Sequence, residues 1–135
     1  MATLKLEVVT PDAIIHSEEV DMVTIPAAGG EMGIFPMHVP LVTQILPGEV
    51  AVRKNGQDYF LAVGDGFVEV TGNRVAILTD MAIKAQDIDE AKAEEARRRA
   101  EARLQEQLSG EEVASVSAAL ANSLAQLKVK RRGRH

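Results

Sequence analysis

Residues 83–100 read Ile83-Lys84-Ala85-Gln86-Asp87-Ile88-Asp89-Glu90-Ala91-Lys92-Ala93-Glu94-Glu95-Ala96-Arg97-Arg98-Arg99-Ala100, and at about Asp87 the character of the chain changes. All five prolines, all six threonines, all four aromatics and eight of the ten glycines lie before residue 88. Beyond it the chain is built almost entirely from Ala, Leu, Glu, Arg, Gln and Ser. Proline and glycine punctuation marks strands and turns, whereas an alanine- and charge-rich stretch favours helix. The reading is an α+β chain: residues 1–87 form a β-sandwich or flattened barrel, and residues 88–135 form a helical arm.

Upstream of the boundary, Leu4, Leu6 and Val8 alternate with Lys5 and Glu7, the period of a half-buried strand. Val20 to Ile25 reads as a second strand closed by Pro26. Asn55-Gly56 between two β-rich runs signals a tight hairpin, because both residues tolerate positive φ. Thr71-Gly72-Asn73 marks another turn. Short strands at regular spacing point to a sandwich or barrel. Residues 26–48 hold many prolines and glycines with Met32, Ile34, Phe35, Met37, Val39, Leu41 and Val42 between them. They read either as two short strands over the core or as a shaped surface for another protein.

Downstream, Asp87 with Glu90 and Ser109 with Glu112 have capping-box spacing. They predict helices over about 88–108 and 111–127. Ala93, Ala96, Ala100, Leu104 and Leu108 form one stripe, and Val113, Val116, Leu120, Leu124 and Leu127 another. Two stripes either side of Ser109-Gly110 imply an antiparallel two-helix hairpin. An alanine stripe removes little apolar area from water, so a hairpin docked through it is expected to detach and move. Lys128, Lys130, Arg131, Arg132 and Arg134 read as a solvated, frayed tail, with contact to an acidic partner as the other reading.

The net charge of −5 excludes some function classes. Twelve acidic and five basic residues in 1–87 argue against nucleic-acid binding. The chain contains no cysteine, which removes disulfides, thiolate metal sites and cysteine nucleophiles. No apolar run approaches a membrane span and no secretory signal opens the sequence, so a soluble, cytoplasmic protein is expected. His16, His38 and His135 are far apart with no carboxylate at metal-ligand spacing. Gly64-Asp65-Gly66 lacks the third glycine and following helix of a dinucleotide loop. No catalytic or metal site is expected, and an independent enzyme is disfavoured.

The run Gly30-Glu31-Met32-Gly33-Ile34-Phe35-Pro36-Met37-His38-Val39-Pro40-Leu41 resembles the signature loop of the F-type ATP synthase epsilon subunit family. Val9-Thr10-Pro11-Asp12, Gly66-Phe67-Val68-Glu69-Val70 and Asp87-Ile88-Asp89 follow in the family's order, so the resemblance spans essentially the whole chain. Met37 departs from the usual glycine, and Asp65 stands where a second glycine is common. The resemblance implies a noncatalytic rotor subunit at the cytoplasmic face of the cell membrane, touching the membrane only through the complex. Its implied partners are the gamma subunit, the c-ring and the alpha/beta headpiece. Glu31, Phe35, Met37, His38 and Val39 would face gamma and the c-ring. Arg97, Arg98, Arg99 and Arg103 would meet the beta subunit when the arm extends to oppose ATP hydrolysis.

Some family members bind ATP through Ile/Leu-Asp-x-x-Arg-Ala. Here Ile88, Asp89 and Lys92 occupy that pattern. Lysine lacks the planar fork of arginine, so weak or absent ATP binding is expected and no cofactor is assigned. The alternative from a different class is a stand-alone adaptor or ligand-sensing module unrelated to energy conversion.

Overall fold

The computed structural model describes residues 2–132. Ten strands precede two helices: β1 (Leu4–Val9), β2 (Ile14–Val20), β3 (Met22–Ala27), β4 (Gly30–Ile34), β5 (His38–Ile45), β6 (Gly48–Lys54), β7 (Gln57–Val63), β8 (Gly66–Gly72), β9 (Arg74–Thr79), β10 (Ala82–Lys84), α1 (Glu90–Leu104) and α2 (Gly110–Arg131). The strands run in the order β10-β7-β6-β3-β5-β8-β9-β1-β2, with β4 paired to β3. Strands β3 and β5 share only the pair Ala27–Ile45, and there the sheet folds over itself. The result is a β-sandwich followed by a helical hairpin. One layer is β10-β7-β6-β3-β4 and the other is β5-β8-β9-β1-β2.

Alternation fills the space between the layers. Leu4, Leu6 and Val8 of β1, Val68 and Val70 of β8, and Leu61 and Val63 of β7 are all fully buried in one cluster. The free ends of the sheet meet through side chains. His16 Nε2 on β2 lies 2.7 Å from the Tyr59 hydroxyl and 2.8 Å from Glu18 Oε1. Lys54 Nζ donates to Glu18 Oε2 at 2.8 Å, and the Tyr59 hydroxyl also donates to Glu18. Burial pushes the Glu18 carboxyl up, but the hydrogen bonds and charges of Lys54 and His16 together outweigh it and hold the group below its usual range.

Several local expectations change. The run Val20–Ile25 is split between two strands turning at Asp21, and Ile14–Val20 is a strand of its own. Pro26 lies inside β3 rather than closing it, where its missing N–H leaves the pairing with Glu31 in register. Residues 30–45 are the two short strands anticipated as one reading. Asn55 and Gly56 do take positive φ, 54° and 77°.

In the arm the cap is Asp89, whose carboxylate accepts the Lys92 N–H at 3.1 Å, and not Asp87. Asp87 belongs to a 3₁₀ turn, Ala85–Asp87, that leads into the helix. So α1 begins at residue 90 and ends at 104, short of the expected 88–108. The capping box of Ser109 and Glu112 forms in both directions. From it α2 runs to Arg131, past the expected end at residue 127. The basic stretch is therefore mostly helix rather than a frayed end, and cations in the last turn suit the negative helix terminus. Arg134 and His135 lie outside the described residues.

Helix α1 packs mainly on α2, which in turn lies across β6 and β7. Ala93 and Ala100 are buried on α1 as the stripe implied, but α2 buries Ser123, Ala125, Leu127 and Val129. Val113 and Leu124, expected in the seam, are 43% and 47% exposed. The reason is that α2 has two packed sides, toward α1 and toward the sheet, so a single stripe does not describe it. Ala125 and Val129 meet Ala62 and Ile88, with Phe60, Met81, Ile83 and Ala85 around them.

Two backbone features make testable demands. A Cβ on Gly66 would stand 1.9 Å from the Leu78 carbonyl oxygen and 2.8 Å from Thr79 Cα, whereas at Gly29 it would meet nothing within 4 Å. Gly66→Ala should therefore cost about 1–3 kcal/mol in urea unfolding, with Gly29→Ala as the neutral control within about 0.5 kcal/mol. Met37 sits at φ 64°, and its N–H donates to Asn73 Oδ1 at 2.6 Å, so the turn is fixed although the side chain is 79% exposed. Met37→Gly should leave stability unchanged within about 0.5 kcal/mol, because relieved strain offsets added chain entropy. Met37→Val should lose about 1–2 kcal/mol in the same assay.

Candidate functional site

The two outer faces of the sandwich differ. The β10-β7-β6 side is covered by α2. The β5-β8-β9-β1-β2 side carries no helix, and a row of side chains crosses it. Pairing places Gln44 beside Phe67, Phe67 beside Leu78, Leu78 beside Val9, and Val9 beside Ile14. Phe67 is 58% exposed, Leu78 49% and Ile14 63%. Beside Leu78 and Val9 in the middle of the row is an open hollow of about 380 Å³, lined by Val9, Thr10, Pro11, Asp65, Gly66, Leu78, Thr79 and Asp80. The next row holds Val42, Glu69, Ala76, Glu7 and Ser17, and Arg74 Nε donates to Glu7 Oε1 at 2.6 Å. An apolar row bordered by charge on an otherwise finished sheet is the composition of a protein-docking face.

Phe35, Met37, His38 and Val39, anticipated from the signature loop, gather at the opposite end of the same layer. Glu31 does not join them: it pairs with Pro26 in the helix-covered layer, where its charge acts on Arg132. Phe35 is 57% exposed, Met37 79% and Val39 72%. Glu31 is exposed on β4 and His38 is half-buried, its Nδ1 donating to the Val39 carbonyl at 2.7 Å. His38 pairs with Gly72, and Phe67 lies five residues back along β8, so the tip and the row are about 17 Å apart. Val42, 68% exposed, stands between them.

The sequence reading missed Phe67, Leu78, Val9 and Ile14 as surface residues. A signal was present at one of them. In Gly66-Phe67-Val68-Glu69-Val70 the alternation puts Val68 and Val70 inside, so Phe67 must share the solvent face with Glu69.

Arg97, Arg98 and Arg99 are paired along their own helix, whereas Arg103 reaches the connecting turn and α2. Arg97 binds Glu94, and reaches Glu101 at 2.7 Å. Arg98 lies 3.4 Å from Glu94, Arg99 2.9 Å from Glu95, and Arg103 3.2 Å from both Glu106 and Glu112. The Arg97 guanidinium, helped by Arg131, holds the Glu94 carboxyl down at about 2.

The three residues of the nucleotide pattern have structural work. Ile88 is 4% exposed beneath the arm, Asp89 caps α1, and Lys92 is exposed. Because α2 continues to Arg131, past the expected end at residue 127, its last turn carries the cations Lys128, Lys130 and Arg131. Arg131 is held by Glu90 at 2.8 Å and by Glu94 at 2.9 Å. Among the described residues, no group of three or more His, Asp and Glu is placed to hold a metal ion. No helix among them is long and apolar enough to cross a membrane.

Comparison with known proteins agrees with this geometry. Residues 3–85 match the family model described as ATP synthase, Delta/Epsilon chain, beta-sandwich domain. Residues 86–131 match the model described as ATP synthase, Delta/Epsilon chain, long alpha-helix domain. The chain is 44% identical over 133 residues to the ATP synthase epsilon chain of Alkalilimnicola ehrlichii, covering 98% of this chain and 95% of that one. It is also 44% identical to the ATP synthase epsilon chain of Herpetosiphon aurantiacus, covering 93% of each. Among solved structures it resembles a chain of the Euglena gracilis mitochondrial ATP synthase OSCP/F1/c-ring assembly. There the TM-score is 0.78 at 27% identity, over 95% of this chain and 81% of that one. A chain of the Tetrahymena thermophila mitochondrial ATP synthase central stalk and c-ring shares the fold, with a TM-score of 0.67 at 12% identity over 94% and 96%. A sandwich with one helix-covered and one bare face, matched along its length by both domain models, belongs to the ATP synthase Delta/Epsilon chain family.

Proposed function

We propose that this chain is a noncatalytic subunit of the central stalk of an F-type ATP synthase, working at the cytoplasmic face of the membrane. The carrying observation is the bare β5-β8-β9-β1-β2 face, with exposed Phe67, Leu78 and Ile14 in one row that also holds half-buried Val9. The gamma subunit docks on this face, one of its side chains seated in the hollow beside Pro11 and Leu78. The tip formed by Phe35, Met37, His38 and Val39 meets the loops of the c-ring and the adjoining part of gamma. Glu31, expected on the same surface, stands apart from it on the helix-covered layer. Two attachments about 17 Å apart resist twisting better than one, which suits a part that transmits torque between the ring and the headpiece.

The division into a docking domain, residues 1–87, and a regulatory arm, residues 88–135, follows from the same asymmetry. The docked arm shields the second face without touching the first. The sandwich therefore stays attached while the arm leaves it, extends toward the headpiece and slows ATP hydrolysis. Arg97, Arg98 and Arg99 would then exchange their intrahelical carboxylates, and Arg103 its bonds to Glu106 and Glu112, for acidic groups of the beta subunit. Exposed pairs of this kind are each worth only about 0–1 kcal/mol, so the exchange is easy. ATP binds weakly or not at all, because its phosphates would have to draw Arg131 from Glu90 and Glu94, and Lys92 lacks the planar fork of arginine.

Two measurements test the reading. Phe67→Glu with Leu78→Glu should weaken binding to a gamma-type coiled coil at least about 100-fold, while the exposed positions leave the unfolding midpoint nearly unchanged. Retained binding would remove gamma from this face. In the second, a headpiece lacking this subunit receives either the full chain or residues 1–87, with binding confirmed in the same assay. Slower hydrolysis with the full chain alone supports the inhibitory arm. Equal rates with both bound would leave the sandwich as the sole working part.

A further inference from the structure

The last turn of α2 makes two different sets of bonds from neighbouring residues. Arg131 reaches across to α1, donating to Glu90 at 2.8 Å and Glu94 at 2.9 Å. These pairs tie the two helices to each other and involve no residue of the sandwich. Arg132 turns the other way. Its Nε donates to Glu49 Oε2 of β6 at 2.6 Å, a second nitrogen binds Glu49 Oε1, and the guanidinium lies 4.4 Å from the centre of the Phe60 ring on β7. Lys130 adds a bond from Nζ to the Ala85 carbonyl in the connecting turn, at 3.2 Å.

We infer that Arg131 and Arg132 are separate latches: Arg132 holds the hairpin on the sandwich, and Arg131 holds the hairpin closed. The inference rests on the reading of the arm as a mobile regulator and assigns the two steps of its movement to two adjacent side chains. Geometry gives each latch its own consequence. The contact beneath the arm sets Ala62, Ala125, Ile88 and Val129 among Phe60, Met81, Ile83 and Ala85, and the polar bonds at its edge add to this apolar docking. The Glu49 side chain is 8% exposed under Arg132. Losing Arg132 leaves a nearly buried carboxylate without its cation, and the docked state is penalised for it. Arg131 and its partners are more open, and they leave with the hairpin as a unit.

An acidic surface on a partner then has a graded effect. Drawing Arg132 away frees the closed hairpin to swing about the turn at residues 85–89. Drawing Arg131 away as well lets α2 part from α1. Both latches are ion pairs, so added salt weakens both.

Distance measurements between pairs of spin labels test the assignment. The chain has no cysteine, so introduced ones take label specifically. Gln57→Cys with Gln107→Cys reads hairpin against sandwich, and Ala91→Cys with Lys128→Cys reads helix against helix; all four positions are exposed. In the full chain at low salt, Arg132→Gln should raise the undocked-to-docked ratio about tenfold and leave the helix-to-helix distance unchanged. Arg131→Gln should broaden the helix-to-helix distance and leave docking within about twofold. Exchanging the charges, Glu49→Arg with Arg132→Glu, should restore the docked population if the pair itself is the latch. The assignment is overturned if either substitution shifts both distances together, if neither shifts any, or if the exchanged pair fails to restore docking in a chain whose sandwich still unfolds normally. Loss of headpiece binding by the unsubstituted chain would instead reject the rotor reading and leave these distances interpretable.

Discussion

Strand β7 has to satisfy two cores at once, and the rest of the molecule is arranged around that demand. Leu61 and Val63 face the space between the sheets, while Phe60 and Ala62 face α2. On the inner side, large branched groups fill a closed volume with no accessible surface, and that packing is tight. On the outer side, Ala62, Ala125, Ile88 and Val129 meet with Phe60, Met81, Ile83 and Ala85 packed around them. One strand therefore belongs to the interior of the sandwich and to the contact with the arm, and it joins the two.

The two outer faces of the sandwich are finished differently. The face under α2 joins Ala62 and Ala125 to Phe60, Met81 and Ile83, with the pair of Arg132 and Glu49 at its edge. The opposite face leaves Phe67, Leu78 and Ile14 exposed. Beside them, Glu69 and the pair of Glu7 with Arg74 would set the register of a docked partner, since a displaced one would bury charge.

Much of this was legible in the residues, for reasons that differ by element. The sandwich announces itself because inner and outer positions alternate along β1 and β8, and because Asn55-Gly56 fits few conformations other than a tight hairpin. The start of α2 was readable from Ser109 and Glu112, whose reciprocal bonds depend only on local spacing. The start of α1 was misplaced by two residues, since Asp87 and Asp89 both offer a carboxylate and only the preceding 3₁₀ turn selects the second. The end of α2 was hidden because Lys130, Arg131 and Arg132 look like solvated charge until Glu49, Glu90 and Glu94, distant in sequence, come alongside. The continuous run Tyr59-Phe60-Leu61-Ala62-Val63 did record a strand covered on both faces. It was read as an ordinary strand because nothing local says what the second cover is. The bare face had the same difficulty: Phe67 was visible as out of phase, but its neighbours Leu78, Val9 and Ile14 meet it only through strand pairing.

The stacking order also bears on how the chain tolerates change. Helix α1 packs mainly on α2, so a substitution on its outer, arginine-bearing side has no direct neighbour in the sandwich. Such changes should add independently to changes made in the sheets, as do mutations at sites without shared partners. Helix α2 has no such freedom, since Ala125 and Val129 answer to the strands while the same helix also answers to α1. Variation in the family should accordingly be free to retune the outer helix for different headpieces, with the inner helix acting as a fixed coupling between two surfaces that otherwise diversify separately.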